Sequence, residues 1–242
     1  MEKLHIITRC TRIENLILIK DTIINNAKTF DKTWHVIFDT NIIKDVDVEI
    51  LGKLYDDSYK LDLRFLASSK GAYGYDSINK IVDTIPNIDP SFNEWFYLLD
   101  DDNVLHEDFH KLADHIKKCK NKELGVVVFN QFIGGKDFTG LQVRVAAPEN
   151  TRIGGIDAAQ YMVKRKMLSW PSGIAYNLDY CADGMLMNFL LTVFEDSFLF
   201  INEIFCYYNY IESNKKAFSL PKILLIGQDE PVKLESAQWV DY

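Results

Sequence analysis

Residues 95–103, Trp-Phe-Tyr-Leu-Leu-Asp-Asp-Asp-Asn, join five apolar positions to three consecutive carboxylates. The apolar run predicts a buried strand, which puts the aspartates at its carboxyl end, the edge where open α/β sheets bind ligands. Adjacent carboxylates repel one another, so their pKa values rise unless a cation or hydrogen-bond donors compensate. A bound divalent metal is therefore the first hypothesis for residues 100–102, and a solvated acidic turn is the alternative.

Alternating strand and helix signals precede this stretch. Apolar runs predict strands at 4–8, 34–38 and 61–67, and helical spacing predicts helices at 13–28, 46–55 and 76–85. Four strands separated by helices indicate a mostly parallel sheet. Four polar strand ends are then expected at one edge: Thr8, Asp39, Ser68 and Asp100. The N-terminal part of the chain is predicted to form a nucleotide pocket at that edge.

The pattern becomes less regular after the aspartates. The sequence predicts a helix at 105–119, a strand at 124–129, a turn-rich loop at 134–140 and an alternating strand at 141–146. Residues 158–168 fit either a strand or a helix, 182–194 fit a helix, and 198–210 fit one or two strands. We expect a single α/β domain with a Rossmann-like half at 1–104, a mixed or antiparallel half at 105–218, and an extended C-terminal arm at 219–242.

Composition limits the class of protein. The chain has 242 residues, of which 48% are hydrophobic and 26% charged, with a net charge of -8. No run approaches the roughly 18 apolar residues of a membrane span, and the N-terminal apolar run is too short for a signal peptide. The four cysteines are scattered, so neither a disulfide framework nor a zinc knuckle is indicated. We expect a cytoplasmic protein without a membrane segment and without a nucleic-acid partner.

A zinc-protease signature overlaps the acidic stretch. His106-Glu107-Asp108-Phe109-His110 satisfies the HExxH pattern, which places two imidazoles on one helical face. Zinc-binding helices of this kind are largely apolar, whereas Asp108 and Lys111 are charged here, and His115 has the wrong spacing for a third ligand. Two solvated helical histidines are therefore the favoured interpretation.

A phosphatase motif and a calcium loop also compete for the aspartates. Asp100-x-Asp102 after an apolar strand resembles the nucleophile and acid/base pair of haloacid-dehalogenase-like phosphatases. That chemistry also needs a neighbouring strand that ends in Ser or Thr, and the next strand here ends in Phe-Asn-Gln at 129–131. An EF-hand is excluded because Val104 and Leu105 occupy positions that require a ligand and a glycine.

The same aspartates form a DXD motif, and with it the chain resembles the GT-A glycosyltransferases. The chain is broadly similar to family 2 enzymes, and its Asp-Asp-Asp-Asn sequence resembles that of the glucuronyltransferases. The resemblance covers most of residues 3–210. Residues 154–160 (Gly-Gly-Ile-Asp-Ala-Ala-Gln) and 182–184 (Ala-Asp-Gly) resemble the acceptor-side segments of such enzymes. The resemblance implies a GT-A-like fold, a nucleoside-diphosphate-sugar donor, and Mn²⁺ or Mg²⁺ held by the DXD motif.

The donor-side residues follow from this resemblance. Asp102 is the expected metal ligand with Asp100, because a metal there would neutralise charge on the leaving diphosphate. Asp100 is also expected near the ribose, and Asp101 either assists or turns toward the sheet. Further residues are expected at the base or the phosphates. Asp39 would accept from the base or cap a loop, Thr8 and Arg9 would frame the base, and Lys70 or Lys80 would contact phosphate.

The acceptor-side residues are Asp183, Asp157 and Gln160. Asp183 is the candidate general base, with a helix N-cap as the alternative. Asp157 and Gln160 are candidate contacts to the donor sugar or the acceptor, with loop-ordering hydrogen bonds as the alternative. The sequence departs from the pattern of GT-A glycosyltransferases in two respects. Its Arg-Asn pair is absent around 76–77, and no histidine follows His115, so water, the diphosphate or Asn209 would complete a metal site.

These patterns predict an enzyme that moves a sugar from a nucleoside-diphosphate donor, expected to be a UDP-sugar, to a hydroxyl of a glycan or other acceptor. Two alternatives stay open. One is a haloacid-dehalogenase-like phosphatase that uses Asp100 and Asp102. The other is a non-catalytic protein that binds nucleotide sugars on the same fold.

Overall fold

The first four strands form the parallel half of one sheet. A computed structural model describes residues 1–46, 48–69, 74–85, 94–119, 123–133, 142–168, 181–208 and 211. The strands of this half are β1 (Glu2–Cys10), β2 (Phe30–Asp39), β3 (Lys60–Leu66) and β4 (Glu94–Leu98). The helices between them are α1 (Leu16–Asn26), α2 (Val48–Leu54) and α3 (Tyr75–Thr84). All three strand pairings are parallel in the spatial order β3-β2-β1-β4. The predicted parallel sheet is confirmed.

The second half extends the same sheet with mixed strand directions. Its elements are β5 (Val104–Leu105), α4 (Leu112–Lys118), β6 (Val126–Ile133), β7 (Gln142–Arg144), β8 (Tyr161–Lys164), α5 (Arg165–Leu168), α6 (Ala182–Phe194) and β9 (Phe198–Tyr208). β8 lies antiparallel between β4 and β6, and β9 runs parallel to β6. β5 pairs antiparallel with β9, and β7 pairs antiparallel with β6. The sheet therefore changes from parallel to mixed beyond β4, as an α/β fold of the predicted kind requires.

Several predicted boundaries change. The helix predicted at 105–119 begins as a 3₁₀ turn, Glu107–Lys111, and becomes α-helical only in α4. Residues 158–168 contain both alternatives, because a 3₁₀ turn, β8 and α5 follow one another there. β1 and β2 are longer than predicted. The loop at 134–140, the arm at 219–242, Lys70 and Asn209 lie outside the described residues, and the division at 104 stays a prediction.

The core lies on both faces of the sheet. On one face Leu4, Ile6 and Trp34 pack with α1, and on the other face Ile7 and Phe96 pack with α3. Every residue of β4 is buried, which explains the unbroken apolar run that ends at the aspartates. Within the described ranges, no helix is long and apolar enough to cross a lipid bilayer.

Candidate functional site

The candidate site lies where the strand order reverses. The chain places β1, β2 and β3 progressively to one side and then returns to set β4 against the other side of β1. Such a switch point opens a crevice beyond the carboxyl ends of the two strands, and ligands of open α/β sheets bind there. The chain leaving β4 stays beside β1 at this point, since Leu99 N–H donates to the carbonyl of Ile7, within β1, at 2.9 Å.

Asp101 is turned inward and joins these two loops. Its carboxylate accepts hydrogen bonds from Thr11 Oγ1 at 2.9 Å, Arg12 N at 2.7 Å and Arg12 Nε at 3.0 Å. Asn15 Nδ2 donates to the Asp101 carbonyl at 2.7 Å. Asp101 is only 2% exposed. The prediction that it contacts the donor is not supported, because its side chain faces the β1–α1 loop, where hydrogen-bond donors occupy both of its oxygens.

Asp100 faces the crevice and is paired with Arg9. Arg9 Nε donates to Asp100 Oδ1 at 2.7 Å, and Arg9 Nη2 donates to Oδ2, which makes a two-point fork. The guanidinium also lies over the Tyr75 ring, 4.8 Å from its centroid. Gly74 has φ +81°, and a Cβ built there would lie 2.9 Å from Arg9 Cδ, so glycine gives Arg9 its path across the start of α3.

Asp102 is the least compensated of the three aspartates. Arg12 Nη2 donates to Asp102 Oδ2 at 3.0 Å, and the side chain is 21% exposed. Burial, followed by the charge of Asp100, raises the pKa of Asp102 to about 6, against the attraction of Arg12. Arginines thus supply much of the compensation that the sequence led us to seek in a metal.

Of the three aspartates at this edge, one is suited to bind a divalent cation. The described residues contain no group of three or more His, Cys, Asp or Glu side chains that could hold a metal. The fork from Arg9 engages both Asp100 oxygens, whereas Asp102 has an oxygen that Arg12 does not occupy. Asp102 is therefore the residue that suits a hard cation, and most of the coordination would come from a bound diphosphate and water.

Asp157 lies within a polar network at the second half of the sheet. Its Oδ1 accepts from Gln131 Nε2 and from Ala159 N, both at 2.9 Å, so it caps a 3₁₀ turn. Arg144 Nη1 lies 3.9 Å from Asp157 Oδ2 and donates to Gln131 Oε1 at 2.7 Å. Burial raises the pKa of Asp157. These bonds match the loop-ordering alternative, and a contact of Asp157 with a ligand stays a prediction.

Asp183 lies in the first turn of α6 and is not its N-cap, which is Cys181. Its Oδ1 accepts from Gly184 N at 2.7 Å. A Cβ on Gly184 would lie 2.6 Å from Ile153 Cα, so the helix start packs directly on the backbone of the preceding loop. Burial, followed by the charge of Asp157, raises the pKa of Asp183 to about 6.

Electrostatic coupling shows that the two halves of the site meet. The charges of Asp157 and Asp100 raise the pKa of Asp183, and the charge of Arg9 lowers it. Asp100 likewise contributes to the raised pKa of both Asp102 and Asp157. The charge of Asp100 therefore acts on Asp102, Asp157 and Asp183, which places the predicted donor-side and acceptor-side carboxylates within electrostatic range of Asp100.

Three predicted contacts do not reach the crevice. Thr8 is fully buried and accepts from Trp34 Nε1 at 2.9 Å, so the prediction that it frames a base is wrong. Gln160 is buried and donates to Arg144 O at 3.1 Å, so it lies beneath the site and does not line it. Lys80 is 56% exposed, and its Nζ lies 3.8 Å from Asp76. That pairing holds it on the surface of α3 and gives no support for a phosphate contact.

Asp39 stays a candidate at the end of β2. Its Oδ1 accepts from Asn41 N at 2.9 Å and from Ser68 N at 3.4 Å, which orders the adjoining strand ends. These bonds match the loop-capping alternative. The side chain is only partly buried at the predicted edge, so a hydrogen bond to a base also stays a prediction.

The zinc-protease pattern does not form the required helix. His106 precedes a 3₁₀ turn, and its Nδ1 accepts from Asp108 N at 3.1 Å. His110 Nδ1 lies 2.8 Å from Glu107 O. A 3₁₀ turn has three residues per turn, so residues four apart diverge and do not share a face. The two histidines are local turn-forming residues.

Sequence reasoning missed four residues of the site: Thr11, Arg12, Gln131 and Arg144. The two from the β1–α1 loop had a usable signal, because Arg9 and Arg12 are close in sequence to the end of the first strand, and that strand end was predicted at the same sheet edge as the aspartates. Gln131 and Arg144 had none. They are opposite one another in the β6–β7 pair, a register that no residue pattern of the sequence indicates.

Comparison with protein-family models and with curated proteins finds no match. Among solved structures, the chain is similar to a crystal structure of S. aureus TarS, with a TM-score of 0.56 and 14% identity over 85% of this chain and 36% of that one. It is also similar to TarS 1–349, with a TM-score of 0.57 and 13% identity over 85% of this chain and 60% of that one.

A third structure, TarS 1–349 in complex with UDP-GlcNAc, gives a TM-score of 0.58 and 11% identity over 86% of this chain and 58% of that one. The chain thus spans between 36% and 60% of the length of these structures. At such low identity the likeness concerns the fold. It confirms the predicted α/β, GT-A-like architecture.

Proposed function

We propose that this chain is a glycosyltransferase that moves a sugar from a nucleoside-diphosphate donor, a UDP-sugar in our proposal, to a hydroxyl of a glycan or other acceptor. The observation that carries the proposal is the convergence of two carboxylate groups, after β4 and at the start of α6, on the switch point of the sheet. The complex of TarS 1–349 with UDP-GlcNAc, on the same fold, supports a donor of this class.

The donor side has carboxylates that can accept hydrogen bonds from the nucleoside and an arginine that can face the negative diphosphate. Asp39 and Asp100 are acceptors for base and ribose hydrogens, and Arg9 faces the region where the diphosphate would lie. A Mn²⁺ or Mg²⁺ ion held by Asp102 would supply positive charge against the leaving diphosphate. This metal is part of the proposal.

The acceptor side offers a base. An inverting displacement needs a group that takes the proton of the acceptor hydroxyl, and such a group works best when its pKa approaches the working pH. With a pKa of about 6, Asp183 is more basic than an ordinary aspartate and is still largely ionised at pH 7. Asp157, as the neighbouring charge, contributes to this basicity and is proposed to contact the sugar through its less occupied oxygen.

The phosphatase alternative is less well supported. β6, which β8 separates from β4, presents Asn130 and Gln131, which bond Asn202 and Asp157. No Ser or Thr occupies that strand end, so the second phosphatase group is missing there.

Titration calorimetry with UDP, with and without Mn²⁺, tests the proposal. We expect Mn²⁺-dependent binding, and we expect Asp102→Ala to weaken it by roughly tenfold or more. Asp108→Asn is the matched control, because Asp108 is an exposed carboxylate paired with Lys111 outside the site. If no nucleoside diphosphate binds under any condition, the proposed function is wrong.

Hydrolysis of UDP-GlcNAc separates an enzyme from a binding protein. We expect slow release of UDP by the wild-type chain, and loss of that release in Asp183→Asn with UDP binding retained. Release that survives Asp183→Asn but not Asp102→Ala would keep the donor site and remove the base assignment. A phosphatase would instead hydrolyse a generic phosphate ester and lose that activity in Asp100→Asn.

A further inference from the structure

The candidate site contains an excess of negative charge on the surface that would meet a diphosphate. The charge of Asp100 acts on Asp102, Asp157 and Asp183, and the charge of Asp157 acts on Asp183. A diphosphate brought to this edge would be repelled unless a cation of the chain, or a metal, faces it. Which basic side chain can turn toward the ligand is therefore the question that decides donor binding.

Two of the basic groups near this edge are committed elsewhere. Arg12 holds the buried Asp101 through its backbone N–H and its guanidinium, and it also bonds Asp102. Releasing Arg12 would leave a buried carboxylate without its partner, at a cost of several kcal/mol. Lys80 pairs with Asp76, a buried carboxylate at the start of α3 that also accepts from Ser69. Neither arrangement favours a turn toward the crevice.

Arg9 is differently placed. Its partner Asp100 is 25% exposed, and the Arg9 side chain is 20% exposed, so both ends of this pair border solvent. The planar fork that grips the two Asp100 oxygens has the same geometry that binds two phosphate oxygens. Tyr75 supports the guanidinium from below, and Gly74 leaves room beside the Arg9 side chain. The arginine is therefore held by a group that a ligand can replace.

We propose that Arg9 is the diphosphate-binding arginine of the donor site and that its fork on Asp100 is the donor-free arrangement. When a nucleoside diphosphate binds, the guanidinium exchanges the Asp100 carboxylate for phosphate oxygens. Asp100 is then released to accept hydrogen bonds from the ribose hydroxyls. Arg9 thereby couples recognition of the diphosphate to exposure of the carboxylate that recognises the sugar of the nucleoside. This inference rests on the proposed function.

The exchange makes a prediction about ligand class. Uridine lacks the phosphates, so it has nothing to offer Arg9 and must bind beside an Asp100 that is still paired. UDP gains the charged fork and the released carboxylate together. The contribution of Arg9 should consequently appear with UDP and be absent with uridine, which distinguishes this role from the framing of the base that the sequence suggested.

The test compares UDP and uridine by titration calorimetry with wild-type chain, Arg9→Gln, Arg9→Lys and the control Arg64→Gln. We expect Arg9→Gln to weaken UDP binding by roughly 10- to 100-fold and not to weaken uridine binding, because the variant leaves Asp100 available to the ribose; retained uridine binding also shows that the site is folded. Arg9→Lys keeps the positive charge without the planar fork, so its affinity for UDP should lie between those of the wild-type chain and Arg9→Gln. Arg64 lies on β3, paired with Asp62, and its variant should bind both ligands normally.

Three results would overturn the inference. Equal weakening of UDP and uridine in Arg9→Gln would make Arg9 a contact of the nucleoside. Unchanged UDP binding would show that the arginine stays on Asp100. Failure of the wild-type chain to bind any nucleoside diphosphate would remove the proposed function itself, and this inference with it.

Discussion

Arg12 grips Asp101 with its backbone N–H, which donates to Oδ2 at 2.7 Å, and with its Nε, which donates to Oδ1 at 3.0 Å. The loop after β1 is thus tied to the loop after β4 by a carboxylate that solvent scarcely reaches. Because the crevice lies between these loops, Asp101 fixes the positions of Arg9 and Asp102 without facing a ligand itself.

We expect Asp101→Asn to destabilise the fold by about 2 kcal/mol, the usual cost of losing hydrogen bonds to a charged group. The amide cannot accept at both oxygens, so either Thr11 or Arg12 loses its acceptor. Urea unfolding measures the change. Asp108→Asn, at an exposed carboxylate, should alter the unfolding free energy by no more than about 0.5 kcal/mol. Equal effects of the two substitutions would contradict the role given to Asp101.

The edge of the sheet could be predicted from the sequence, but not the side chains that face it. The apolar run before Asp100 indicated a strand buried on both faces, and this is confirmed. Thr8 was misplaced because β1 continues to Cys10. Two more residues bring Arg9 toward the edge and leave Thr8 in the core against Trp34, since successive residues of a strand point to opposite faces.

The ion pairs that compensate the aspartates could not be predicted from the sequence, for a different reason. Arg9 and Asp100 are 91 positions apart, and their fork depends on the register between β1 and β4. The sequence correctly indicated excess negative charge, and from it we inferred a metal. The chain itself supplies two cations, Arg9 and Arg12, which compensate Asp100 and Asp101. The proposed metal would therefore have to compensate only Asp102 and the diphosphate.

Gly184 offers a test of how α6 positions Asp183. A Cβ at this residue would lie 2.6 Å from Ile153 Cα, a backbone atom that cannot easily move. We expect Gly184→Ala to displace the helix start, to cost about 1–3 kcal/mol of stability, and to abolish UDP release from UDP-GlcNAc. UDP binding at the other side of the crevice should be retained.

The control is Gly52→Ala in α2, where a Cβ would meet nothing within 4 Å. Alanine is the better helix former, so this variant should be stabilised by about 0.5–1 kcal/mol with unchanged activity. Thermal unfolding and the UDP-release assay measure both quantities. A Gly184→Ala chain as stable and as active as the control would show that the close approach of α6 to Ile153 is unimportant.

Catalysis by Asp183 predicts a pH dependence. With a pKa of about 6, the ionised base is present above that pH and is lost as the pH falls through it. At saturating donor we expect the rate of UDP release to fall about tenfold per pH unit well below pH 6. Unfolding measured at each pH separates this loss from denaturation. A rate that is flat from pH 8 to pH 5 would assign the proton transfer to another group.

A second pH effect is expected at the opposite end of the parallel strands. His5 Nδ1 lies 3.0 Å from His35 Nε2, and His35 Nδ1 lies 2.8 Å from Asp62 Oδ2. Both histidines are buried, and His5 Nε2 has no hydrogen-bond partner among the residues that the structure describes, although Glu94 Oε1 lies 3.9 Å away. Lys3 and Arg165 pair with the same glutamate, so added positive charge is poorly tolerated there.

Burial, followed by the charge of His35, lowers the pKa of His5 from 6.5 to about 3. Between these values the unfolded chain binds a proton that the folded chain does not, so stability is full above pH 6.5 and falls as the pH falls toward 3. At pH 5 the loss from His5 is about 2 kcal/mol. His5→Gln should flatten the decline in unfolding free energy between pH 7 and pH 5 by that amount. An unchanged slope would mean that His5 is already protonated in the folded chain, and that Glu94 accepts its charge.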